Sequence, residues 1–399
     1  MHAFTLAVRV FLSTGYVVHA LTPSTSLSPL CRSPGFQAKA EAESKKKEAA
    51  GKSKKQSGWG TTSLWPVKKA WDPDYEELVL QLQSACDKVG LTLSALDDDP
   101  FDSDRFDLNP LPFGPESRNT EGLPALLCVD EMELYAALSR GERALDEEIE
   151  MGTEEDKECY SYVKNEEAGS SSKTFQNGWK RDCDPATGDV LPERQVDDPA
   201  APGGKRGKRL DDFANSEMAK RCKLTRLEVL ALRFYSTAGF KSINWGLRDV
   251  DRWERRVPHR LPVMVFLLHS GTKKLFTKLF IGATSSASMV HLFRGMSNRK
   301  LESDFMQRGG TELAPMSTTK DVSVAILHST HWRVGGQSIL LRVRTTAGAA
   351  DITWLSAFPF EREDLFPPGT FLKPLRPKPY LFQISGTIFY VVDVEPRLM

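Results

Sequence analysis

The order of helix-like and strand-like segments after residue 210 constrains the fold of this chain more than any other feature. Thr225 and Glu228 have the spacing of a capping box, which predicts a helix that begins there. The apolar residues that follow recur at helical spacing and are expected to be buried: Leu227, Leu230, Ala231 and Phe234. Residues 262–279 form a long apolar segment, whose length favours a second buried helix over a strand.

Beyond residue 289 the patterns become those of short strands separated by turns. Two further helices are predicted between the strands, at residues 301–308 and 321–328. The predicted strands cover residues 290–295, 312–318, 338–344, 363–366, 371–374 and 387–394. Helices followed by many strands indicate an α+β domain with a mainly antiparallel sheet, here assigned to residues 211–396. Without a G-x-G-x-x-G or P-loop sequence, a Rossmann or Walker nucleotide site is not supported.

The first 20 residues are largely apolar and end in small residues, which is typical of a secretory signal. Arg9 interrupts the apolar run, so an ordinary N-terminus remains an equal alternative. The segment is too short and too broken for a membrane span, and no stable membrane insertion is expected. The compartment therefore stays open between the cytoplasm and the secretory pathway.

The remainder of the first half has the composition of extensions and linkers. Residues 21–70 are rich in charge and are predicted to be a disordered tether. Residues 71–141 are predicted to be partly helical, with helices at 74–89 and 130–138 that could dock as a cap. Residues 142–210 are predicted to be an acidic and mixed-charge linker. If its acidic part covers a functional site, a chain that starts near residue 210 should be more active than the whole.

Charge and cysteine content exclude two classes of site. The formal net charge is +0, which argues against a protein whose affinity rests on neutralising nucleic-acid phosphates. The 6 cysteines include no C-x-x-C pair and no Cys/His cluster with the spacing of zinc ligands. We therefore expect neither a bound metal nor a nucleic-acid partner.

Three short motifs follow one another in the strand-rich region. The sequence F-P-F-E-R-E-D-L-F-P-P-G places Glu361 and Glu363 two residues apart. In an extended strand, residues i and i+2 project to the same face, so the two carboxylates are expected to share one pocket. Such a pair can stabilise a developing positive charge and handle a proton beside it. Upstream lie L-F-R-G-M at residues 292–296 and T-E-L-A-P-M-S-T-T-K-D at residues 311–321.

Together these motifs resemble the arginine-specific mono-ADP-ribosyltransferases, whose signature is an Arg, a Ser-x-Ser and a Glu-x-Glu on successive strands. The resemblance implies an ADP-ribosyltransferase-like fold over residues 211–396. It implies Arg294 as the signature arginine, and Gly295 as the residue whose backbone holds the nicotinamide amide and which leaves room for the base. Ser317 takes the first serine position, and Thr319 stands where the family usually has its second serine.

The Glu-x-Glu motif implies a role for each carboxylate. Glu363 takes the catalytic place, and Glu361 takes the place that receives the substrate arginine. NAD would be the substrate, and a protein that carries the acceptor arginine would be the partner. The motif sequence R-F-Y-S-T-A-G-F-K-S-I-N-W-G-L-R is similar to the helical lead-in of the same domain.

Elementary chemistry agrees with these roles. Arginine presents a fixed fork of donors that suits a pyrophosphate, so Arg294 is suited to anchoring NAD. Cleaving the nicotinamide bond builds positive charge on the ribose, which a carboxylate such as Glu363 stabilises. Nearby aromatic residues could stack on a substrate, although core packing is the better reading of each: Trp354, Phe358 and Phe360. His328 and His331 are given no role in the chemistry.

The motifs leave three functions open. The first is transfer of ADP-ribose from NAD to arginine on a protein. The second is NAD hydrolysis on the same site, with water as the acceptor. The third is a binding module without catalytic activity, against which the retention of both carboxylates argues.

Overall fold

A computed structural model describes residues 72–99, 108–119, 122–165, 181–184, 187–282, 289–329, 337–346 and 348–398. The predicted signal segment and charged tether lie outside the described residues. The helices in the described part are α1 Pro73–Val89, α2 Leu123–Leu127, α3 Glu131–Ser139, α4 Glu142–Glu150, α5 Glu154–Asn165, α6 Leu210–Ala214, α7 Glu217–Cys222, α8 Arg226–Tyr235, α9 Phe240–Arg248, α10 Val250–Glu254, α11 Pro262–Gly282, α12 Ser303–Arg308 and α13 Val322–Ser329.

The strands are short and cluster in the second half of the chain. They are β1 Leu93–Ala95, β2 Asn109–Pro110, β3 Phe113–Gly114, β4 Gln195–Asp197, β5 Lys205–Gly207, β6 Val290–Ser297, β7 Arg299–Lys300, β8 Gly310–Glu312, β9 Met316–Thr319, β10 Gln337–Thr345, β11 Ala350–Asp351, β12 Glu363–Phe366, β13 Thr370–Pro374, β14 Tyr380–Ile384 and β15 Thr387–Arg397. No helix in the described ranges is long and apolar enough to cross a bilayer.

Within the described residues, the main sheet has 11 strands in the order β11-β12-β9-β6-β10-β15-β13-β8-β3, with β14 on β15 and β1 on β14. Its pairings are antiparallel apart from the parallel pair β10–β15. The predicted α+β class with a mainly antiparallel sheet is confirmed. Each of the six predicted strands has a counterpart within a few residues of its expected position.

The helical layer packs around α8 and α11 and shares one hydrophobic core with the helices before residue 166. The predicted capping box is present: the Glu228 side chain accepts from the Thr225 N–H at 2.7 Å, and the Glu228 N–H donates to the Thr225 hydroxyl at 3.2 Å. Lys274 and Ser270 on α11 also bind the Glu228 carboxylate. This buried carboxylate therefore fixes both the start of α8 and its contact with α11.

The predicted strand at residues 312–318 is two strands, β8 and β9, separated by residues 313–315. The Glu312 side chain accepts from the Ala314 N–H at 3.1 Å, which turns the backbone out of the extended form. Pro315 then has no N–H to donate to a ladder. The break sends β8 to pair with β13 and β9 to pair with β12.

The structure differs from the predicted linker over its first part, because residues 142–150 and 154–165 are helices α4 and α5. The acidic residues hide an apolar face, and Ala144, Leu145 and Ile149 are buried. Glu148 accepts hydrogen bonds from the first N–H groups of α11, at 2.6 Å from Val263 and 3.0 Å from Met264. A carboxylate at a helix N-terminus is stabilising, so part of the acidic composition serves as a helix cap.

The expected domain start at residue 211 also differs from the structure. Helix α1 packs on α13, with Leu78 and Leu82 fully buried, and Lys88 forms an ion pair with Asp321 at 2.5 Å. Strands β1 and β3 belong to the main sheet. The sequence before residue 211 therefore supplies part of the sheet and of its core, not a separate extension.

Candidate active site

A cleft opens where two neighbouring strands separate. Strand β6 pairs with β10 along its whole length but with β9 at one register position, Phe293 opposite Thr319. The ends of β6 and β9 beyond that point enclose a cleft of about 1100 Å³, counting space open to solvent. All the site residues predicted from the sequence line this cleft: Arg294, Gly295, Ser317, Thr319, Glu361 and Glu363.

Glu363 begins β12 and lies directly opposite Thr319 on β9. Its side chain is buried, and the nearby Ser317 hydroxyl favours its charged form. Burial raises the pKa of Glu363 to about 7, with a further contribution from Asp364, while Ser317 and Arg294 act in the opposite direction. Glu363 therefore changes its charge near neutral pH, in a cleft that also holds a guanidinium group.

Glu361 reaches the same cleft by a different backbone geometry from the predicted one. It ends the 3-10 turn Pro359–Glu361, and Arg362 follows in the left-handed conformation with φ 50°. The expectation of an extended Glu-x-Glu segment is therefore wrong: the turn, rather than strand alternation, directs both carboxylates to one pocket. Burial and the neighbouring Glu363 raise the pKa of Glu361 to about 8.

Arg294 projects between the separated strands and is held by a buried carboxylate. Its Nη1 donates to the Ser317 carbonyl oxygen at 3.4 Å, and its Nη2 lies 3.4 Å from Glu312 Oε2. Glu312 is fully buried and also binds Arg248 through two bonds, of 3.0 and 2.8 Å. Two guanidinium groups on one carboxylate leave a net positive charge beside the cleft, which favours an anionic ligand.

Arg248 and Glu312 were not predicted as site residues, although both lie within the segments that resemble the transferase family. Their signal was weak because an Arg and a Glu 64 residues apart have no local pattern that links them. Burial of an unpaired carboxylate is costly, which explains why the fully buried Glu312 is paired with arginines. The structure adds these two residues as the support of Arg294.

The structure shows a packing role for Gly295, beside the space that it is predicted to leave for a base. A Cβ on this residue would lie 2.0 Å from the Ala325 carbonyl oxygen and 2.6 Å from the Ser329 hydroxyl, both on α13. The missing side chain therefore lets α13 pack directly against β6. The predicted use of the Gly295 backbone to hold an amide stays a prediction.

Replacing Gly295 by Ala is expected to lower the free energy of unfolding by about 1–3 kcal/mol or more, because α13 has to move away from the strand. Chemical denaturation of the full chain measures this change. Ser297→Ala, on the same strand, is the matched control and is expected to unfold close to the parent. Equal stability of the Gly295 variant and the parent would contradict the close approach of helix and strand.

Thr319 lines the cleft, and its hydroxyl also serves the start of α13. The hydroxyl accepts from the Asp321 N–H at 3.1 Å, just before the helix begins. Asp321 in turn accepts from Ser323 at 2.5 Å and pairs with Lys88 of α1. Thr319 thereby connects the cleft to the helix that forms one of its walls.

Three further lining residues were not assigned chemistry from the sequence. The Tyr235 hydroxyl donates to the Pro315 carbonyl at 3.0 Å and receives the Asn244 amide at 3.3 Å, which ties the helical layer to the turn before β9. His328 faces the cleft from α13, and burial lowers its pKa, so it is neutral at pH 7. His331 lies outside the described residues.

The aromatic residues near Glu361 divide into two groups. Phe358 lines the cleft and packs edge-on against Phe360, with ring centroids 6.0 Å apart. Both residues also contact the helical core, in keeping with the core-packing interpretation. Trp354 packs against that core as well and does not line the cleft. Among the described residues, no cluster of His, Cys, Asp or Glu could hold a metal ion.

Comparison with known proteins gives structural neighbours alone, since no protein-family model and no curated protein matches this chain. The ADP-ribosyltransferase HopU1 of Pseudomonas syringae pv. tomato DC3000 is 18% identical over 51% of this chain and 92% of its own, with a TM-score of 0.33. The eukaryotic mono-ADP-ribosyltransferase ART2.2, solved as a mutant with NADH, is 14% identical over 48% and 83%, with a TM-score of 0.32.

The ADP-ribosyltransferase toxin Plx2a from Paenibacillus larvae is also similar, with 16% identity over 47% of this chain and 94% of its own and a TM-score of 0.29. TM-scores of this size support no inference about activity, which has to come from the side chains of the cleft.

Proposed function

We propose that this protein is a mono-ADP-ribosyltransferase that moves ADP-ribose from NAD to arginine side chains of a protein and releases nicotinamide. The observation that carries the proposal is that Glu361 and Glu363 enter one cleft together with Arg294 and Ser317. These residues come from three separate segments of the chain, one for each of the three motifs.

The charge of the cleft suits the pyrophosphate of NAD. Arg294 keeps its proton because a guanidinium group does not lose it at any ordinary pH. Glu312 cancels one of the two positive charges of Arg248 and Arg294, and the remaining charge is available to phosphate oxygens. Because Glu312 is fully buried, the arginine fork is oriented before a ligand arrives.

Glu363 is suited to the bond-breaking step. As the bond between the ribose and nicotinamide breaks, its electron pair leaves with nicotinamide and positive charge develops on the ribose. A carboxylate in a cleft of low dielectric stabilises that charge far better than one in water. The nearby Ser317 hydroxyl favours the charged form of Glu363, which is the form that stabilises the ribose.

Glu361 is suited to the acceptor. The arginine guanidinium has a pKa above about 12, so it has to lose a proton as its nitrogen bonds to the ribose carbon. A carboxylate with a pKa raised to about 8 is a stronger base than an exposed one, and it accepts that proton in its charged form, which is populated as the pH rises towards 8. Pairing between Glu361 and the guanidinium also lowers the cost of burying either charge.

NAD hydrolysis is the second candidate, because the same cleft can admit water in place of an arginine. The second carboxylate, the half-buried Glu361, favours transfer, since hydrolysis requires no group that binds a guanidinium. A non-catalytic module would gain nothing from two carboxylates whose pKa values are raised to about 7 and 8. The products formed from NAD distinguish all three functions.

Glu361→Gln is expected to divert the reaction from transfer to hydrolysis, because the cleft loses its base for the guanidinium but keeps Glu363. In the parent, the rate of transfer should rise as the pH increases from about 6 to 8.5, as the raised pKa of each carboxylate is passed. In the variant, the part of this pH-dependent rise in transfer rate that belongs to the Glu361 pKa of about 8 should disappear. Chromatography of products from NAD labelled in the ADP-ribose half measures both effects.

The proposal of arginine as acceptor would be contradicted if the variant and the parent formed the same ratio of transferred to free ADP-ribose. A parent that forms free ADP-ribose alone, with any arginine acceptor, would support hydrolysis instead.

A further inference from the structure

The backbone just before the carboxylate pair is held in an unusual way. Residues 353–357 have no strand partner in the described part of the chain, and yet each of five successive carbonyl oxygens accepts a hydrogen bond. Arg194 donates to the carbonyls of Thr353 at 2.7 Å, of Ser356 at 2.9 Å and of Trp354. Arg233 donates to the Leu355 carbonyl at 2.6 Å, and the Asp182 N–H donates to the Ala357 carbonyl at 2.8 Å.

These three donors form one buried cluster, which we call the carbonyl clamp: Asp182, Arg194 and Arg233. Asp182 is fully buried, and Arg194 and Arg233 are 1% and 3% exposed. The Asp182 carboxylate lies 3.2 Å from Arg194 Nε and 2.9 Å from Arg233 Nη2, and it accepts a hydrogen bond from the Tyr162 hydroxyl. The carboxylate thus orients both guanidinium groups towards the backbone that they bind.

The clamp unites segments that are far apart in sequence. Asp182 and Arg194 belong to the stretch predicted to be a linker, and Arg233 belongs to α8. Phe213 packs against both arginines, with guanidinium carbons 5.2 and 4.0 Å from the ring centroid. On the amide side of the same backbone, the Ser236 hydroxyl accepts from the Ala357 N–H at 2.9 Å.

We propose that the carbonyl clamp positions Glu361, and that Asp182 and Arg194 are therefore positioning residues for the reaction. This inference rests on the proposed function. Ala357 is separated from the turn Pro359–Glu361 by one residue, so a shift of residues 353–357 is passed directly to Glu361. Glu363 is held by the pairing of β12 with β9 at four register positions, beside one bond of its carbonyl with the Ile352 N–H at 3.0 Å, and Arg294 is held by β6 and Glu312.

This difference in support gives the clamp a specific effect. Loosening it moves the group that receives the acceptor while the groups expected to bind NAD stay in place. A displacement of about 1 Å of a catalytic group can cost on the order of 10²-fold in rate. A buried ion cluster is in general a weak source of stability. The better explanation for this cluster is that it holds residues 353–357 in one conformation.

The test uses two variants of the full chain, Arg194→Lys and Ser236→Ala. Lysine keeps the charge but has no planar fork, so it cannot bind three carbonyls at the positions that the guanidinium serves. Alanine leaves the Ala357 N–H without its acceptor and is mild enough to fold. Arg226→Lys is the control, because Arg226 forms ion pairs with Glu142 and Asp211 at the surface of the same helical layer.

Both variants are expected to bind NAD within about two-fold of the parent, to lose about ten-fold or more in kcat for transfer, and to release a larger share of free ADP-ribose. The control should match the parent in all three quantities. The proposal is overturned if the two variants lose thermal stability but keep the kcat and product ratio of the parent. Should Arg194→Lys not fold, Tyr162→Phe takes its place, because it removes the hydroxyl that donates to Asp182 and does not line the cleft.

The parent distinguishes failure of this inference from failure of the proposed function. A parent that transfers ADP-ribose, with variants that transfer it equally well, refutes the clamp alone. A parent that consumes no NAD refutes the proposed function, and the clamp then has no catalytic group to position.

Discussion

Glu363→Gln is expected to lower the rate of NAD consumption by on the order of 10² to 10³, the size of effect seen when one preorganised electrostatic group is lost. The amide keeps the shape of the side chain and its place on β12 but carries no charge to stabilise the ribose. Initial rates at saturating NAD measure the effect. Binding of NAD should change little, since the arginine that we assign to the pyrophosphate is untouched.

Asp364→Asn provides the matched control for this prediction. Asp364 is the next residue of β12, is also buried, and has a pKa raised by burial to about 6. It projects to the other face of the strand and pairs with Lys320 at 3.5 Å, away from the cleft. The control should keep most of the activity. Equal losses in the two variants would show that any buried carboxylate on this strand is needed for folding and that Glu363 has no special role.

A chain that starts at residue 205 is expected to be unfolded and inactive, which reverses the expectation drawn from the acidic composition. Truncation removes α1 to α5, strands β1 and β3, and two members of the carbonyl clamp. None of residues 142–165 lines the cleft, so their removal uncovers nothing there. Circular dichroism and NAD consumption of the truncated and full chains measure the outcome.

The magnitude of the lost burial supports this prediction. Leucines of the removed helices with exposures of 0–1% are Leu78, Leu82, Leu126, Leu127 and Leu145. Burial of each contributes about 1.5–3 kcal/mol. Their sum is comparable to the whole stability of a typical domain, about 5–15 kcal/mol. A soluble, cooperatively folding chain from residue 205 with the activity of the full protein would contradict the packing described here.

The site was predictable where its signals are local. Arg294, Ser317 and Glu363 each lie on a short strand with a recognisable sequence, and the register of β6, β9 and β12 brings them together. The capping box at Thr225 was predictable for the same reason, since both of its residues lie within one turn of helix.

The remainder depends on contacts that sequence spacing does not reveal. Glu361 lies in a turn that requires the left-handed conformation of Arg362. An arginine in a sequence does not predict that conformation, which is uncommon for residues other than glycine. The pairing of Glu312 with Arg248 joins a helix to a strand. The linker-like composition of residues 181–209 concealed Asp182 and Arg194, which bind backbone carbonyls of residues 353–357, far away in the sequence.

Composition misled most in the first half of the chain. Helices α4 and α5 carry many acidic residues because one face of each is exposed, while their apolar residues join the core around α8 and α11. A count of charges cannot distinguish this arrangement from a solvated linker, whereas the spacing of Ala144, Leu145 and Ile149 is consistent with it.

The central claim is tested most directly by incubating the full chain with agmatine, a simple arginine analogue, and NAD labelled in its ADP-ribose half. The account predicts labelled agmatine and free nicotinamide from the parent, and neither above background from Glu363→Gln. If the parent leaves NAD intact with agmatine and with arginine-bearing proteins alike, the cleft is not a transferase site and the account is contradicted.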